Sequence, residues 1–280
     1  MKELGERLQA IVDMVKPDQR VADIGCDHAY VSLELARKKN CSVLAMDIGD
    51  GPLKIAEENI RAAAAEDGKK KEEAPESDTE KGPDKESDKE PDKESDKESD
   101  KEETPVEDWT KRITTRKSDG LAELSKGEVD ALVIAGMGGH LIIDILQNGV
   151  DKLKPGMQLV LSPQSDLRLV RYELRKMNIF ITEERCLSEE GKWYFILNCM
   201  VGMNLLAPVS DDEAKQYMMY GKYLPEHPTD AFREFLVWEA RGLEDLLTSL
   251  AGQRTPAAKA RSGTIRRQLD ENRYIQSLIG

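Results

Sequence analysis

Residues 20–30 read RVADIGCDHAY, a short apolar run that leads through one glycine into the start of a helix. This pattern is typical of the first strand–turn–helix unit of a parallel sheet, where a ligand approaches the backbone at the strand end. A dinucleotide site needs a second glycine, and Cys26 and Asp27 fill that space instead. Carboxylates at Asp23 and Asp27 would repel phosphates, so the loop favours a cationic ligand such as S-adenosylmethionine over a nicotinamide or other nucleotide cofactor.

The alternation of strand and helix continues along the chain. Apolar runs predict strands at Arg20–Ile24, Ser42–Asp47, Arg112–Arg116, Ala131–Ala135, Gln158–Ser162, Ile179–Cys186 and Trp193–Val201. Helical patterns lie at His28–Lys38, Pro52–Ala64, Gly120–Leu124, His140–Asn148 and Asp166–Met177. Short strands separated by helices predict a parallel sheet with right-handed crossovers, closed by an antiparallel hairpin that turns at residues 189–191. The sequence therefore predicts an α/β fold, a seven-stranded Rossmann-like doubly wound sheet over residues 1–209.

Residues 210–280 follow a different pattern. Spacings of four and three separate Phe232, Leu236, Glu239, Leu243, Leu246 and Leu250, the rhythm of a packed helix pair. After a break at residues 252–256, a second helical pattern carries Ile265, Leu269, Ile275 and Leu278. We expect an antiparallel coiled-coil hairpin. Its second leg, 254–280, has six Lys and Arg against two acidic residues, which is either a binding surface or only a solvated helix face.

An acidic segment interrupts the first domain at residues 66–105. Residues 66–103 hold 18 Asp and Glu against nine Lys and Arg, with the repeat PDKESDKE at 83–90 and again at 91–98. Such a composition buries too little apolar area to offset the entropy of ordering the chain. We expect a solvated, disordered insertion rather than a binding segment, with partial helix as the lesser alternative.

Composition limits the class of protein. The net charge is −13, of which the acidic segment carries −9, and the mean hydropathy is −0.58. No run reaches the roughly 20 apolar residues of a membrane span. The N-terminal stretch is charged and amphipathic, unlike a secretory signal. Four cysteines without paired spacing argue against a zinc site or a disulfide framework. We expect a cytoplasmic protein, a monomer by preference, without a metal site.

Two further acidic residues follow predicted strands. Asp47, beside Ile48, ends the second strand, where a carboxylate can accept hydrogen bonds from both hydroxyls of a ribose. Asp119, beside Gly120, follows the third strand and is placed to accept from the amino group of adenine. Each aspartate is equally suited to capping a helix. The order of three acidic residues at successive strand ends nevertheless favours a cofactor site.

A glycine-rich loop follows the fourth strand. It comprises Ala135, Gly136, Met137, Gly138 and Gly139. Three glycines hold the backbone open there, so we expect the first four residues to line the cofactor site and Gly139 to admit a flat base. Pro163 and Gln164 end the fifth strand at the same edge of the sheet and are further candidates for substrate contacts. A plain turn is the competing interpretation.

Four motifs together resemble the bacterial tRNA (adenine(22)-N1)-methyltransferases. They are DIGCDHAY at 23–30, DGP at 50–52, DGL at 119–121 and AGMGG at 135–139. The resemblance covers nearly the whole chain outside 66–105, although Ser162-Pro163-Gln164 stands where the family has Gln-Pro-Asn. It implies a class I methyltransferase that uses S-adenosylmethionine, with a Rossmann-like domain and a C-terminal coiled-coil domain.

The resemblance also implies a mechanism and a partner. Adenine N1 has an in-plane lone pair, so an in-line methyl transfer to an extruded base needs mainly positioning. Asp27 is the candidate for stabilising the cationic product or taking its N6 proton, His28 shapes the loop, and Tyr30 packs against the base. We expect tRNA to be held by the second helical leg, chiefly Arg266 and Arg267, with Arg168, Arg171 and Arg175 as further cations. A nucleotide-dependent enzyme and a non-catalytic RNA-binding protein remain the alternatives.

Overall fold

The computed structural model describes residues 4–72, 108–202 and 218–280. Seven strands form one sheet in the order β3-β2-β1-β4-β5-β7-β6. Their bounds are β1 Arg20–Ile24, β2 Ser42–Asp47, β3 Ile113–Lys117, β4 Ala131–Met137, β5 Gln158–Pro163, β6 Ile179–Glu189 and β7 Lys192–Val201. The first five strands pair in parallel, and β7 runs antiparallel to both β5 and β6. The predicted fold class is therefore confirmed.

Helices cover both faces of this sheet. They are α1 Glu6–Met14, α2 Tyr30–Lys39, α3 Asp50–Glu72, α4 Gly139–Asn148 and α5 Leu167–Lys176. Side chains alternate along each strand, so Val21 packs with α1, α2 and α3, while Ala22 and Ile24 pack with α4 and α5. The central strands are apolar on both faces, which explains why they read as continuous hydrophobic runs.

The strand order reverses between β1 and β4. The chain builds β2 and β3 on one side of β1, then crosses to place β4 on the other side. The connecting turns diverge at the carboxyl ends of these two strands and leave a crevice between them. In open α/β sheets this is where ligands bind.

The structure differs from the predictions at a helix and at a turn. Gly120–Leu124, predicted as a helix, forms turns, because Gly120 has φ +53° and the Ser118 hydroxyl donates to the Gly120 carbonyl and accepts from the Glu123 amide. The hairpin turn consists of Glu190 and Gly191 alone. Both have positive φ, as a two-residue turn between twisted strands requires.

The C-terminal helices pack on the hairpin rather than standing apart from it. They are α6 Tyr223–Glu226, α7 Asp230–Leu250 and α8 Pro256–Ile279. A third core cluster joins Phe195 of β7 to Phe232 and Leu236 of α7 and to Ile275 of α8. Leu278, predicted to face the partner helix, is 58% exposed, and Ile279 is buried in its place. The domain boundary at residues 209 and 210 stays a prediction.

The structure describes only the first part of the acidic segment. Helix α3 continues to Glu72, seven residues into the predicted insertion, and the remainder of 66–105 lies outside the described residues. Among the helices of the described ranges, none is long and apolar enough to cross a bilayer.

Candidate active site

A cavity of about 440 Å³ opens at the carboxyl ends of β1, β2 and β4. Most of the residues singled out from the sequence line it: Asp23, Gly25, Cys26, Asp27, His28, Tyr30, Asp47, Ala135, Gly136, Met137 and Gln164. They lie at or just after the ends of four strands, β1, β2, β4 and β5, that are remote in sequence. The geometry thus brings these strand ends around one cavity.

The loop after β1 has an unusual backbone. Gly25, Asp27 and Ala29 all have positive φ, between 47° and 72°. Only glycine adopts this region without strain, so two of the three positions are held there by their surroundings. The Gly25 and Cys26 amides both donate to the Met46 carbonyl of β2, which ties the loop to the neighbouring strand. Strain of this kind concentrates at ligand sites.

A glycine is required at position 25 because of its close neighbour as well as because of its positive φ. A Cβ at this position would meet the terminal methyl of Met137 at the end of β4. The glycine therefore lets the loop after β1 approach the end of β4 across the crevice. Next to it, burial raises the pKa of the Cys26 thiol far above its ordinary range, so the thiol stays protonated and does not act as a nucleophile.

Asp23 is a buried carboxyl on the cavity wall. It is 4% exposed, and Oδ2 accepts a hydrogen bond of 2.6 Å from the Ser32 hydroxyl. Burial raises its pKa from 3.8 to about 6, against the lowering effect of the Ser32 hydrogen bonds and with a smaller raising contribution from Asp47. A carboxyl whose pKa is perturbed by burial, on the wall of a cavity, is typical of a functional site.

Asp47 makes a local contact and also lies on the cavity wall. Its Oδ1 accepts from the Gly49 amide at 2.8 Å, a local turn contact, while its side chain also lines the cavity. The adjacent Ile48 is 63% exposed and lies outside this cavity. The hydrogen bond from the Gly49 amide fixes the direction of the carboxylate and does not exclude a ligand.

Asp27, His28 and Tyr30 form the rim. Asp27 Oδ2 lies 3.5 Å from His28 Nε2, and the His28 and Tyr30 rings stack with centroids 5.4 Å apart. The Asp27 side chain is 68% exposed. Asn59 of α3 donates to the His28 carbonyl and steadies this part of the loop. The rim thus presents a carboxylate and a stacked aromatic pair to anything that enters the cavity.

Asp119 and Gly120 lie elsewhere. They line a smaller cavity of about 170 Å³ together with Leu121, Ile145 and Gly149. The residues predicted to bind the cofactor are therefore divided between two cavities. The smaller cavity has an exposed carboxylate beside apolar side chains.

The glycine-rich loop places its glycines in two different environments. Gly136, with φ +79°, belongs to the cavity, whereas Gly138 and Gly139 lie outside it. Gly139 is buried, and a Cβ there would meet the Ser165 carbonyl and the Val170 side chain. The structure therefore explains Gly139 by the close packing of α4 on the loop before α5, rather than by open space for a base.

A larger groove, which the sequence did not reveal, adjoins the 440 Å³ cavity. It measures about 740 Å³, and Gln164 lines both spaces. Its walls are the end of β5 with the loop that follows it, the start of β7 and one face of α7. Six aromatic residues line it: Trp193, Tyr194, Phe195, Tyr220, Phe235 and Trp238. These residues come from distant segments, so no local motif marks them.

The predicted tRNA-binding cations fall into two groups. Arg266 and Arg267 are exposed on α8 and lie apart from all three spaces described above. Arg171 is instead buried and paired with Glu184 at 2.8 Å, so the proposal that it contacts RNA is wrong. The spacing of Arg168, Arg171 and Arg175 on one helix did not reveal that the middle residue points into the core.

Comparison with known families settles which of these interpretations applies. A sequence model described as tRNA (adenine(22)-N(1))-methyltransferase matches residues 98–274, more than half of the chain. The chain belongs to this family. A general methyltransferase-domain model matches residues 4–75, which contain β1, β2 and the loop after β1.

Individual relatives agree with this assignment. The tRNA (adenine(22)-N(1))-methyltransferase of Bacillus subtilis is 28% identical over 200 residues, which are 71% of this chain and 66% of that protein, just under two thirds. The solved structure of the B. subtilis m1A22 tRNA methyltransferase matches with TM-score 0.71 at 23% identity, covering 98% of this chain and 99% of that one. A Streptococcus pneumoniae protein solved with S-adenosyl-L-methionine matches with TM-score 0.69 at 22% identity, covering 98% and 100%.

Family membership decides between the functions left open by the sequence. The family consists of tRNA methyltransferases, so the predicted family and enzyme class are confirmed. The predicted cofactor, S-adenosylmethionine, agrees with the molecule bound in the S. pneumoniae structure. The nicotinamide-dependent and non-catalytic alternatives lose their support. The roles of individual residues do not follow from membership.

Proposed function

We propose that this chain methylates N1 of adenine 22 in tRNA, with the 440 Å³ cavity as its S-adenosylmethionine site. The observation that carries the proposal is the pair of carboxylates, Asp23 and Asp47, on the wall of a cavity at the switch point of the sheet, in a chain of this family. Their position suits a cationic nucleoside and repels a pyrophosphate.

The residues present fit this cofactor. Asp47 is placed to accept from ribose hydroxyls, and Asp23 faces the positively charged part of the ligand. Gly25 lets the ligand approach the backbone, and Asp119 and Gly120 offer the smaller cavity to the adenine ring. S-adenosylmethionine supplies a methyl group activated by the positive charge of its sulfonium. The protein contributes electrostatic complementarity and position.

The rim residues act on the acceptor base. Methylation of N1 leaves a positive charge on adenine, which a nearby carboxylate stabilises. Asp27 is exposed at the mouth of the cavity and is the candidate for this role or for taking the N6 proton. His28 holds Asp27 in place, and Tyr30, stacked on His28, offers a flat face against which the base packs.

The rest of the tRNA is held by cations. Arg266 and Arg267 are exposed on α8, so they neutralise phosphates and release counterions although the whole chain is acidic. A surface of this kind contributes affinity rather than recognition of one base.

Mass spectrometry of nucleosides tests the proposed function directly. A tRNA transcript incubated with the full chain and S-adenosylmethionine, then digested, should yield 1-methyladenosine. A transcript with guanine in place of adenine 22 should yield none. Methyl transfer to another position, or equal methylation of both transcripts, would contradict the assignment of the target base.

Asp47→Ala should weaken cofactor binding. It removes the acceptor for two ribose hydroxyls, and each unmade hydrogen bond of this kind is worth on the order of 1–3 kcal/mol. Isothermal titration with S-adenosylmethionine measures the loss. Asp50→Ala is the matched control, because Asp50 is exposed, pairs with Lys117 and lies outside the cavity. Equal affinity in both variants would leave Asp47 only its contact with the Gly49 amide.

Asp27→Asn should lower turnover on the order of 100-fold while leaving the affinity for S-adenosylmethionine nearly unchanged. Asparagine tolerates the positive φ of this position, so the loop keeps its shape. Single-turnover methylation and titration calorimetry separate the two quantities. Asp144→Asn, on the exposed side of α4, is the control. A parallel loss of affinity and turnover would place Asp27 among the cofactor contacts.

A further inference from the structure

The groove beside the cofactor cavity has an aromatic wall with an exposed end. Phe235 of α7 contacts Trp193 at 5.6 Å, Phe195 at 4.9 Å and Trp238 at 6.0 Å between ring centroids. Trp238 is 57% exposed, although it rests on these rings. A large apolar ring that is supported from below and open above is a surface for stacking.

A carboxylate is fixed in the same groove. Glu239 Oε2 accepts from the Tyr220 hydroxyl at 2.6 Å and from Asn272 Nδ2 at 2.9 Å. Asn272 is fully buried, and burial raises the pKa of Tyr220, so both remain donors. The other oxygen, Oε1, makes no hydrogen bond to the described residues. The protein thus orients one acceptor with its buried groups and leaves a second one for an occupant.

Two cations also line the groove. Arg168, at the start of α5, and Lys192, at the start of β7, both line it and are exposed. Neither forms an ion pair within the described part of the chain. A groove with an aromatic platform, an oriented acceptor and two available cations matches a nucleotide, which combines a flat base, amino-group donors and a phosphate.

We propose that this groove binds an unpaired nucleotide of the tRNA that neighbours the methylated adenine. Its base stacks on Trp238, its base-edge amino group donates to Glu239, and its phosphate contacts Arg168 or Lys192. The proposal rests on the proposed function, and it is supported by continuity, because Gln164 lines both the groove and the cofactor cavity. An adenine extruded into the cavity leaves its neighbour unstacked within reach of the groove.

Trp238→Ala tests the proposal. Loss of one stacked base should raise the KM for tRNA on the order of 10-fold, with the affinity for S-adenosylmethionine unchanged. Trp238→Phe should recover part of the loss. Val237→Ala is the matched control, because Val237 is the adjacent exposed residue of α7 and does not line the groove.

Glu239→Gln tests the base-edge contact. Glutamine keeps an oxygen for Tyr220 and Asn272 but loses the charge, so the KM for tRNA should rise if an amino group donates to this side chain. A lower KM would mean that the carboxylate only repels phosphate, and it would overturn this part of the proposal.

Fluorescence provides a measurement without substitution in the groove. In a Trp109→Phe background the remaining tryptophans both lie in the groove. Bound tRNA should protect them from quenching by acrylamide. Unchanged quenching, or a Trp238→Ala variant that methylates tRNA with the wild-type KM, overturns the proposal and leaves the groove to a protein partner. If the wild-type chain does not methylate tRNA at all, the proposed function itself fails.

Discussion

Glu184→Ala should lower the free energy of unfolding by about 3–5 kcal/mol, because it leaves a buried guanidinium without its counter-charge. Arg171 Nε lies 2.8 Å from Glu184 Oε1, and Arg171 Nη2 lies 3.2 Å from Oε2. The two side chains are 3% and 0% exposed. Neither water nor another acid can replace the missing partner at such a depth.

The same pair joins the two parts of the chain. Arg171 of α5 pairs with β6 and also donates to the Met219 carbonyl at 2.5 Å, just before α6. Its guanidinium lies 5.9 Å from the centre of the Phe195 ring. We therefore expect loss of Glu184 to loosen the contact of the C-terminal helices with the sheet as well as the sheet edge itself.

Urea unfolding measures this effect, and a neighbouring residue provides the control. Glu183→Ala removes the adjacent carboxylate, which forms a half-exposed ion pair with Arg185 and should contribute less than about 1 kcal/mol. The double variant Arg171→Met with Glu184→Leu should recover most of the stability, because it removes both charges together. Equal midpoints for the two single variants would show that the pair is hydrated in solution.

This pair illustrates a limit of sequence reasoning. The spacing of three arginines on α5 predicted a common cationic face, and the spacing itself is real. Arg171 is buried against a glutamate of strand β6, 13 residues away, and it also donates to a backbone carbonyl 48 residues away. Tertiary partners of this kind leave no periodic signal in either segment.

The sheet, by contrast, could be predicted from the sequence because its strands leave a local signal. Buried strands such as Ala131–Met137 must be apolar on both faces, so their position shows in composition alone. The failure at Gly120–Leu124 is instructive, because Leu121 and Leu124 have helical spacing and both are buried. The positive φ of Gly120 breaks the helix, and the sequence does not show which φ a single glycine will adopt.

The candidate site likewise has one part that could be predicted from the sequence and one part that could not. Aspartates at strand ends were visible because the topology of a parallel sheet brings successive carboxyl ends to one edge. The aromatic groove was not visible, since Trp193 and Trp238 come from a strand and a helix with no shared pattern. A shared core cluster of these segments also implies that residues 1–209 and 210–280 stabilise each other, so we propose that they fold as one unit.

Asp23→Asn should stabilise the cofactor-free protein and weaken its affinity for S-adenosylmethionine. The folded pKa of Asp23 is about 6 and its unfolded value is 3.8, chiefly because burial penalises the charged form. The native state therefore binds more protons than the unfolded state between these values, and stability falls as pH rises from about 4 to 6. Above pH 6 the ionised carboxylate costs roughly 3 kcal/mol, by the free energy of a shift of this size.

Asparagine removes that cost and keeps an oxygen for the Ser32 hydroxyl. The variant should unfold at a higher temperature than the wild type at pH 7.5, and the difference should shrink toward pH 4. Differential scanning calorimetry across this range measures both. Asp50→Asn, an exposed position, should show no such pH-dependent gain.

The affinity for the cofactor should change in the opposite direction. A cationic ligand beside Asp23 favours the ionised form, so wild-type affinity should fall about tenfold per pH unit below pH 6, and the dependence should be absent from Asp23→Asn. Calorimetric titrations at pH 5, 6 and 7.5 decide the matter. If the variant binds S-adenosylmethionine as tightly as the wild type at pH 7.5, the buried carboxylate does not face the positive charge of the ligand, and the proposed orientation in the cavity must be reversed.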